Sequence, residues 1–465
     1  MMPGMVSTPA LGLSLSVVTR SELAASRVWS LAFSDQHKDR RYYELLEETL
    51  LDKFVYKYFA TSDHEGRICA VQPFFIVDQD LLQGIGPFKA VEVVRRVWPR
   101  FLRLRTLMVG CAAGEGHLAY DDGISSAEAA QILSRDITKH ARVLGASMIV
   151  LKEFPAKYRH ILHCFFHEGF ARVPSMPLTR LKIEYTDFEG YFNEALNSST
   201  RRKLRKKFRA TENVSIEMSQ VDDITPYIEE IYPLYLQVYN RSKMKFEKLT
   251  RDYFSQIGQR MPDKVRFFIW RKARMIVAFS LCLIKDDSIY AEYVGFDYEV
   301  ALNLHLYHYI VRDMISWAMS RNYKWFRSTA LNYDPKLHMR HELDPVDLYV
   351  RFTSRLNPVL KHLIVLLDPV RRDKTLQKFA NYADLWGAKD TGQRRESHRR
   401  LARKRLANIR RNFAVLWEAV KVTDRNGLMF RFEYDHKSLV ARSSYAGLCL
   451  RTKIRLIATG SSGNS

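Results

Sequence analysis

The chain has few cysteines, no long apolar run and a deficit of acidic residues. Its 465 residues include five scattered cysteines without CxxC spacing, which argues against a disulfide scaffold or a zinc ribbon. The longest apolar stretch, near residues 362–370, is broken by Asp368 and Pro369, so no membrane-spanning segment is expected. The N-terminal residues lack a basic region before their apolar stretch and predict a strand rather than a signal peptide. These absences predict a cytoplasmic protein with reduced thiols.

The shortage of acids leaves a strongly basic chain. Lysine and arginine total 73 against 51 acidic residues, a net charge of +22 that predicts an anionic partner. Residues 201–209 hold seven basic residues and no acid, and residues 389–411 hold ten basic residues and two acids. We consider two interpretations of the first cluster, a solvated helix face or a phosphate-binding surface, with Leu204 and Phe208 facing the core. The second cluster predicts either a basic helix that lies on RNA or an anionic membrane surface, or a solvated appendage.

The predicted elements occur twice in nearly the same order. Each half reads as a strand, two helices, an antiparallel meander of about three strands, a helix, a strand, a short helix and a strand. Consecutive hairpins in the middle of each half distinguish this order from a doubly wound βαβ fold. We therefore predict an α/β (α+β) protein with two mixed, mostly antiparallel sheets flanked by helices. The predicted domains are residues 1–187, residues 188–375 and a basic helical extension with a flexible tail over residues 376–465.

The fourteen histidines predict no metal site. His305 and His308 are spaced i, i+3, but no carboxylate or cysteine at ligand spacing accompanies them. His338 and His341 repeat that spacing beside Glu342. We expect no metal cofactor.

Several segments resemble known acyltransferases. They are residues 199–206, 234–242, 290–298 and 331–336, together with the helix that contains Leu306 and Tyr307. The element order resembles the GNAT acyltransferase fold present in tandem. The second half, over roughly residues 185–355, resembles the BioF2-like or CelD-like acetyltransferase family, relatives of the FemABX peptidyltransferases.

This resemblance implies transfer of an acyl or aminoacyl group to an amine. The donor is an acyl-CoA such as acetyl-CoA in ordinary GNAT enzymes and an aminoacyl-tRNA in the FemABX branch. GNAT enzymes hold the CoA pyrophosphate on a glycine-rich loop. The corresponding residues 296–303 contain no glycine and include Asp297 and Glu299, which departs from the family pattern. The first half has Gly110, Gly114 and Gly116 at its matching junction, with a different spacing.

Amine acylation requires a base, oxyanion donors and an acid for the leaving group. Glu292, placed among aromatic residues, is the predicted base, and burial would raise its pKa towards neutrality. The alternative is a carboxylate paired with an arginine. Tyr307 is the predicted acid, with helix packing as the alternative. Tyr333 is predicted to donate to the oxyanion, and Lys336 is predicted to polarise the donor carbonyl or hold a phosphate. The alternative for both is a simple turn with a solvated lysine.

Further residues are candidates for binding the donor and the acceptor. Arginine forks match phosphate geometry, so three arginines of the basic cluster are the predicted donor-binding residues. The residues predicted to bind the acceptor amine lie at the end of a helix and in the glycine-free junction. Helix capping is the alternative role for these residues. The donor-binding candidates are Arg201, Arg202 and Arg205, and the acceptor-binding candidates are Asn240, Arg241 and Asp297.

Three functions are compatible with the sequence. The first is a GNAT-type N-acyltransferase that uses acyl-CoA, in bacterial envelope or exopolysaccharide biosynthesis. The second is a FemABX-like aminoacyltransferase that uses aminoacyl-tRNA. The third is a non-catalytic protein on a GNAT scaffold that binds nucleic acid or a membrane surface. The expected location is cytoplasmic, with peripheral contact to the inner membrane through the basic segments.

Overall fold

The structure is a computed structural model that describes residues 12–81, 99–242 and 244–387, and seven further single positions (92, 95, 96, 431, 432, 456 and 457). The chain divides into two compact units, residues 1–388 and 389–465. In the second unit two short strands, Arg431–Phe432 and Leu456–Ile457, pair antiparallel. The predicted basic helix within residues 389–416 lies outside the described residues.

The first sheet contains the N-terminal strands and one late strand. Its order is β1-β2-β3-β4-β6-β15-β7, with β5 beside β3, and among the described strands of this sheet β4 and β6 are the parallel pair. The bounds are β1 Ser14–Val18, β2 Val55–Ser62, β3 Ile68–Asp80, β4 Arg103–Val109, β5 Ala119–Tyr120, β6 Met148–Pro155, β7 Ala171–Pro174 and β15 Val346–Phe352.

The second sheet repeats this plan with the remaining strands. Its order is β14-β8-β13-β12-β11-β10-β9, and here β12 and β13 form the parallel pair. The bounds are β8 Leu178–Lys182, β9 Ile216–Val221, β10 Val265–Lys272, β11 Met275–Lys285, β12 Ser288–Phe296, β13 Trp325–Ser328 and β14 Glu342–Asp344. The two halves exchange strands, because β8 joins the second sheet and β15 joins the first. The boundaries predicted after residues 187 and 375 stay predictions.

Helices flank both sheets, as expected for the mixed α/β class. Their bounds are α1 Arg27–Ser30, α2 Arg40–Thr49, α3 Ser126–Val143, α4 Cys164–His167, α5 Phe188–Glu194, α6 Ser198–Arg209, α7 Ile228–Arg241, α8 Arg251–Arg260, α9 Tyr298–Ala301, α10 Leu306–Ser320, α11 Tyr333–His338 and α12 Asn357–Leu367. No helix in the described part of the chain is long and apolar enough to cross a bilayer.

Two helices differ from what the sequence predicts. The apolar spacing predicts a helix over residues 21–33, but these residues form a 3-10 turn followed by the single turn α1, because Ser26 adopts an extended conformation and caps a new start. The sequence also predicts a short helix over residues 336–342, but this helix begins earlier, at Tyr333, and ends at His338. Arg340 has a left-handed φ of 61°, which stops the helix before β14.

One hydrophobic core joins the two halves. Side chains of α2 and β2–β4 from the first half pack with side chains of α7, α8 and β10–β12 from the second. The hydroxyl of Tyr253 donates to that of Tyr42 at 3.2 Å, and Tyr42 donates to the carbonyl of Ala113 at 2.8 Å. Because these tyrosines are buried with their hydroxyls paired, residues of both halves that lie beside this interface hold fixed positions.

Candidate active site

The parallel strands of the second sheet pair along only part of their length. β12 and β13 pair from Ser288 and Trp325 to Ala291 and Ser328, where β13 ends while β12 continues to Phe296. A bulge in the β11–β12 ladder leaves Glu292 as the extra residue at the point where pairing stops. The last residues of β12 therefore face an opening between the two strands, which we call the second-half splay. Unpaired backbone groups at such an opening can bind a substrate.

Glu292 sits at the start of this splay and is buried. Its Oε2 atom lies 2.9 Å from Nζ of Lys38, and its Oε1 atom lies 3.3 Å from Nε2 of His37. Glu115 lies on the other side of the same lysine, with Oε2 3.1 Å from Nζ. The predicted base is thus paired with a lysine of the first half and not with an arginine.

Burial and charge act in opposite directions on this cluster. Burial lowers the pKa of His37, so its imidazole stays neutral near pH 7. Burial also disfavours the Lys38 ammonium, but the two carboxylates outweigh it and the pKa of Lys38 is raised. Burial opposes ionisation of Glu115, yet the Lys38 charge prevails and holds its pKa below the usual range. The cluster therefore contains a charged lysine between two carboxylates.

The bulge also determines where Tyr293 points. The alternation of a regular strand predicts Tyr293 in the core, on the face opposite Glu292. Tyr293 does pack in a core, against Tyr235 and Tyr253 where the halves join, and its hydroxyl donates to Oε1 of Glu247 at 2.9 Å. The predicted face is wrong, because a bulge places two successive side chains on one side of a strand.

Lys336 lies on the other edge of the splay. Its Nζ atom donates to the carbonyl of Thr329 at 2.5 Å, and Thr329 directly follows the last residue of β13. Burial lowers the pKa of this amine to about 7. Burial also lowers the pKa of the neighbouring His341 to about 3, and its Nδ1 atom has no hydrogen-bond partner among the described residues. An amine in this setting can exchange a proton near neutral pH.

Tyr307 and Tyr333 occupy different surroundings. Burial raises the pKa of Tyr307 to about 12, although its contact with the Asn332 side chain opposes this shift. Leu331 and Asn332 both have left-handed φ values, 75° and 50°, which turns the chain sharply ahead of α11. Tyr333 is buried against Phe379, and its hydroxyl donates to a main-chain carbonyl, that of Pro177, at 2.8 Å. This hydroxyl is already engaged.

The basic helix α6 keeps most of its charge exposed. Its cap is confirmed, because the Asn197 side chain accepts from the amide of Thr200 at 2.8 Å. Among the described residues no carboxylate forms an ion pair with any of its seven cations. An open pocket of about 540 Å³ lies along this helix, and its described lining is Ser198, Arg201, Arg202, Arg205, Lys206 and Arg209.

The three arginines predicted to bind the donor differ in their surroundings. Arg201 donates to the carbonyls of Asn193 and Leu196 at 2.6 Å each and thereby fastens the end of α5. Arg205 donates to the Asn193 side chain at 3.1 Å. Arg202 is exposed and has no partner among the described residues. Arg202 is therefore the arginine of this set whose guanidinium is available for a phosphate.

Helix α6 lies beside the start of the long helix α10. Nζ of Lys207 lies 2.5 Å from Nε2 of His308, and Phe208 packs against Tyr309. Burial lowers the pKa of both Lys207 and His308, to about 4 for the histidine. The cationic face of α6 is thus continuous with the junction between β12 and α10.

The predicted acceptor residues gather at this junction. Arg241 stacks on the ring of Tyr298 with its guanidinium carbon 3.8 Å from the centroid, and Asn240 is exposed beside it at the end of α7. Asp297 accepts from the amide of Glu299 at 3.0 Å and caps the short helix α9, not the long helix α10. The side chains of Arg241 and Asp297 therefore flank the same turn.

The corresponding splay of the first half is filled by its own chain. β4 and β6 pair in parallel as far as Val109 and Leu151, and the glycine-bearing loop after β4 then enters the gap. Gly116 donates its amide to the carbonyl of Glu153 at 3.2 Å, and a Cβ atom there would lie 2.4 Å from the Phe154 ring. These glycines permit close packing, and the loop, residues 110–116, is here called the plug loop. No loop with such glycines follows β12 in the second half, where residues 296–303 contain none.

Sequence reasoning missed three members of the cluster, namely His37, Lys38 and Glu115. His37 and Lys38 precede the capping residue of α2 and resemble the polar start of any helix. Glu115 lies in the plug loop, where the glycines are the recognisable sequence feature and a single glutamate is not. No local pattern could have placed them against Glu292, because 77 residues separate Lys38 from Glu115 in the chain.

Residues 112–333 match the model of the FemAB-like family, which is described as peptidoglycan biosynthesis/recognition. This part of the chain, a little under half of its length, is similar to that family. The match agrees with the resemblance to the FemABX branch expected from the sequence. A search of curated proteins found no match.

Several solved structures are similar to this chain. FemX covers 76% of it over all of its own length, with 11% identity and a TM-score of 0.44. L-PGS from Bacillus licheniformis covers 70% over 95% of its own length, with 12% identity and a TM-score of 0.41. A tandem GNAT protein from the clavulanic acid biosynthesis pathway covers 73% over 99% of its own length, with 9% identity and a TM-score of 0.42.

Proposed function

We propose that the chain transfers an aminoacyl or acyl group from an anionic carrier to an amine at the second-half splay. The observation that supports this most is the placement of Glu292 and Lys336 on the two edges of the splay. The equivalent opening in the first half is filled by the plug loop. A splay with a carboxylate on one edge and a titratable amine on the other is suited to acyl transfer.

The reaction needs the groups that border this opening. Glu292 takes a proton from the acceptor ammonium, and the freed lone pair attacks the carbonyl carbon of the donor ester or thioester. Lys336, half protonated near neutral pH, donates to the oxyanion that forms. Tyr307 gives its proton to the leaving oxygen or sulfur as the bond to the carrier breaks, and it takes up the second proton of the acceptor nitrogen, so that the neutral amide remains and Tyr307 is restored. Glu292 then releases its proton to water. Tyr307 is protonated at neutral pH because its pKa lies near 12.

The exposed face of α6 favours aminoacyl-tRNA over acyl-CoA as the carrier. A helix of 12 residues is about 18 Å long, enough to contact several phosphates of a nucleic-acid backbone. The β12–α10 junction, by contrast, has no glycine, and Asp297 and Glu299 would repel the pyrophosphate of CoA. Acyl-CoA is the alternative carrier.

The acceptor is an amine of a peptidoglycan precursor or a related envelope polymer, in line with the family description. Arg241, Asn240 and Asp297 border the side of the junction where such an acceptor would enter. The cytoplasmic location with peripheral membrane contact stays a prediction from the sequence.

Transfer assays with the full chain test this proposal. Radiolabelled aminoacyl-tRNA and acetyl-CoA are offered separately, with a lysine-containing peptidoglycan precursor as acceptor. We expect transfer from aminoacyl-tRNA and a loss of at least 100-fold in Glu292→Gln. Glu217→Gln, an exposed carboxylate on edge strand β9, is the matched control with unchanged rate. Transfer by acetyl-CoA alone would select the alternative carrier, and an active Glu292→Gln variant would refute the assigned base.

A further inference from the structure

A buried charged cluster crosses the boundary between the halves. Lys38 and His37 come from the loop before α2, Glu115 from the plug loop, and Glu292 from β12 of the other half. Each of the four residues is at most 9% exposed. Nζ of Lys38 bridges the two carboxylates at 2.9 Å and 3.1 Å, and Nε2 of His37 lies 3.6 Å from Glu115. Such a cluster is costly to bury, which calls for an explanation of its presence.

Contacts from the second half hold the loop of Lys38 in place. Lys264 forms an ion pair with Asp39 at 2.7 Å and donates to the carbonyl of Gln36 at 2.7 Å. Arg41 forms an ion pair with Asp263 at 2.7 Å. The ring of His37 stacks on Tyr290 of β12 at 3.7 Å. Residues immediately before and after Lys38 in the sequence make these contacts. They therefore fix Lys38 against β12, the strand that carries Glu292.

Glu115 fixes the lysine from the opposite side. The plug loop is held by Lys152, whose Nζ donates to the carbonyl of Gly114 at 2.9 Å. Gly114 packs so closely that a Cβ atom would lie 2.8 Å from the Lys38 side chain. The loop that fills the first-half splay thus delivers the carboxylate that holds Lys38.

We infer that Lys38 and Glu115 are positioning residues for Glu292, so that the first half completes the active site of the second. This inference rests on the proposed function, in which Glu292 is the base. Lys38 fixes one carboxylate oxygen of Glu292 through the contact of 2.9 Å. Glu115 restrains the ammonium so that it cannot move away when the acceptor enters. The first half then serves as a support whose own splay is filled.

The other titratable groups around Glu292 carry no positive charge. They come from the elements packed against it and are Tyr42, Tyr253, Tyr293 and Cys282. Burial raises the pKa of each of these groups, so all stay neutral between pH 5 and 9. Within the described part of the chain, Lys38 is the group that supplies a positive charge to Glu292 across this range.

The test is the kcat and KM of transfer by the double variant Lys38→Met/Glu115→Gln. This variant removes one charge of each sign, so the net charge of the cluster is unchanged and the fold can be checked by its thermal melt. We expect kcat to fall about 100-fold with little change in KM and an unchanged thermal melt, because the base is no longer held. Lys139→Met, at an exposed position on α3, is the control.

The outcomes separate this inference from the proposed function. An inactive Glu292→Gln variant together with a normal kcat in Lys38→Met/Glu115→Gln overturns the positioning role alone. A loss that appears in KM as much as in kcat, or that comes with a lowered melting temperature, also overturns it, because a general loss of structure would give that result. A fully active Glu292→Gln variant overturns the proposed base, and the positioning role with it.

Discussion

Stability should increase with pH between 7 and 9 because of Lys336. This amine is buried in the folded chain with a pKa near 7, compared with 10.5 for an unperturbed lysine. In that window the unfolded chain binds the proton and the folded chain does not, so the free energy of unfolding rises with pH. One proton per molecule corresponds to at most about 1.4 kcal/mol per pH unit, or about 3 kcal/mol from pH 7 to 9.

Urea unfolding of the full chain and of Lys336→Met, at pH 7, 8 and 9, measures this contribution. Methionine keeps most of the side-chain volume and cannot be protonated. It also loses the hydrogen bond to Thr329, a cost of about 1 kcal/mol that does not depend on pH. The unfolding free energy of the natural chain minus that of the variant should therefore increase as pH rises.

One control and one contrary outcome make this result interpretable. Lys139→Met removes an exposed amine and should give a line parallel to that of the natural chain. Parallel lines for Lys336→Met as well would show that Lys336 is charged throughout, as an amine in contact with water would be. That result would refute the burial of this amine and with it the role in which it exchanges a proton near pH 7.

Three further predictions concern other parts of the molecule. Gly116→Ala should lower the unfolding free energy measured in urea by about 1–3 kcal/mol, because the new Cβ atom would lie 2.4 Å from the Phe154 ring. Gly190→Ala is the control and should be neutral, because the Cβ atom there would make only ordinary contacts. His117 is neutral when folded, with a pKa lowered by burial to about 3, so urea unfolding should show stability falling as pH drops below about 6.5. Arg202→Ala should weaken tRNA binding in filter assays with an unchanged thermal melt, whereas Arg201→Ala should lower the melting temperature.

Much of the fold follows from local sequence patterns. In the meanders β2–β3 and β10–β12, apolar residues either alternate with polar ones or follow one another without interruption, and turn residues separate the strands. The helices α3 and α6 have clear capping residues. The exchange of β8 and β15 could not be predicted, because pairing between distant strands depends on which edges remain open after the rest has folded. The element order alone suggested two separate domains.

The sequence predicted the site residues that come from the second half and not those that come from the first. Glu292, Tyr307 and Lys336 come from the second half, where the resemblance to acyltransferases supplied their roles. Lys38 and Glu115 come from loops of the first half, and their importance follows from a charge that needs a partner inside the core. A buried ion cluster becomes visible only once the tertiary structure brings its members together.

The central claim is that the donor binds at the second-half splay and not at its counterpart in the first half. Hydrogen exchange with a non-hydrolysable amide-linked aminoacyl-tRNA, and in parallel with acetyl-CoA, tests it directly. The account predicts that the amides of residues 292–296 and 329–333 become protected on binding, with no change over residues 107–117. Protection confined to residues 107–117 would contradict this claim, because the donor would then bind in the first-half splay in place of the plug loop.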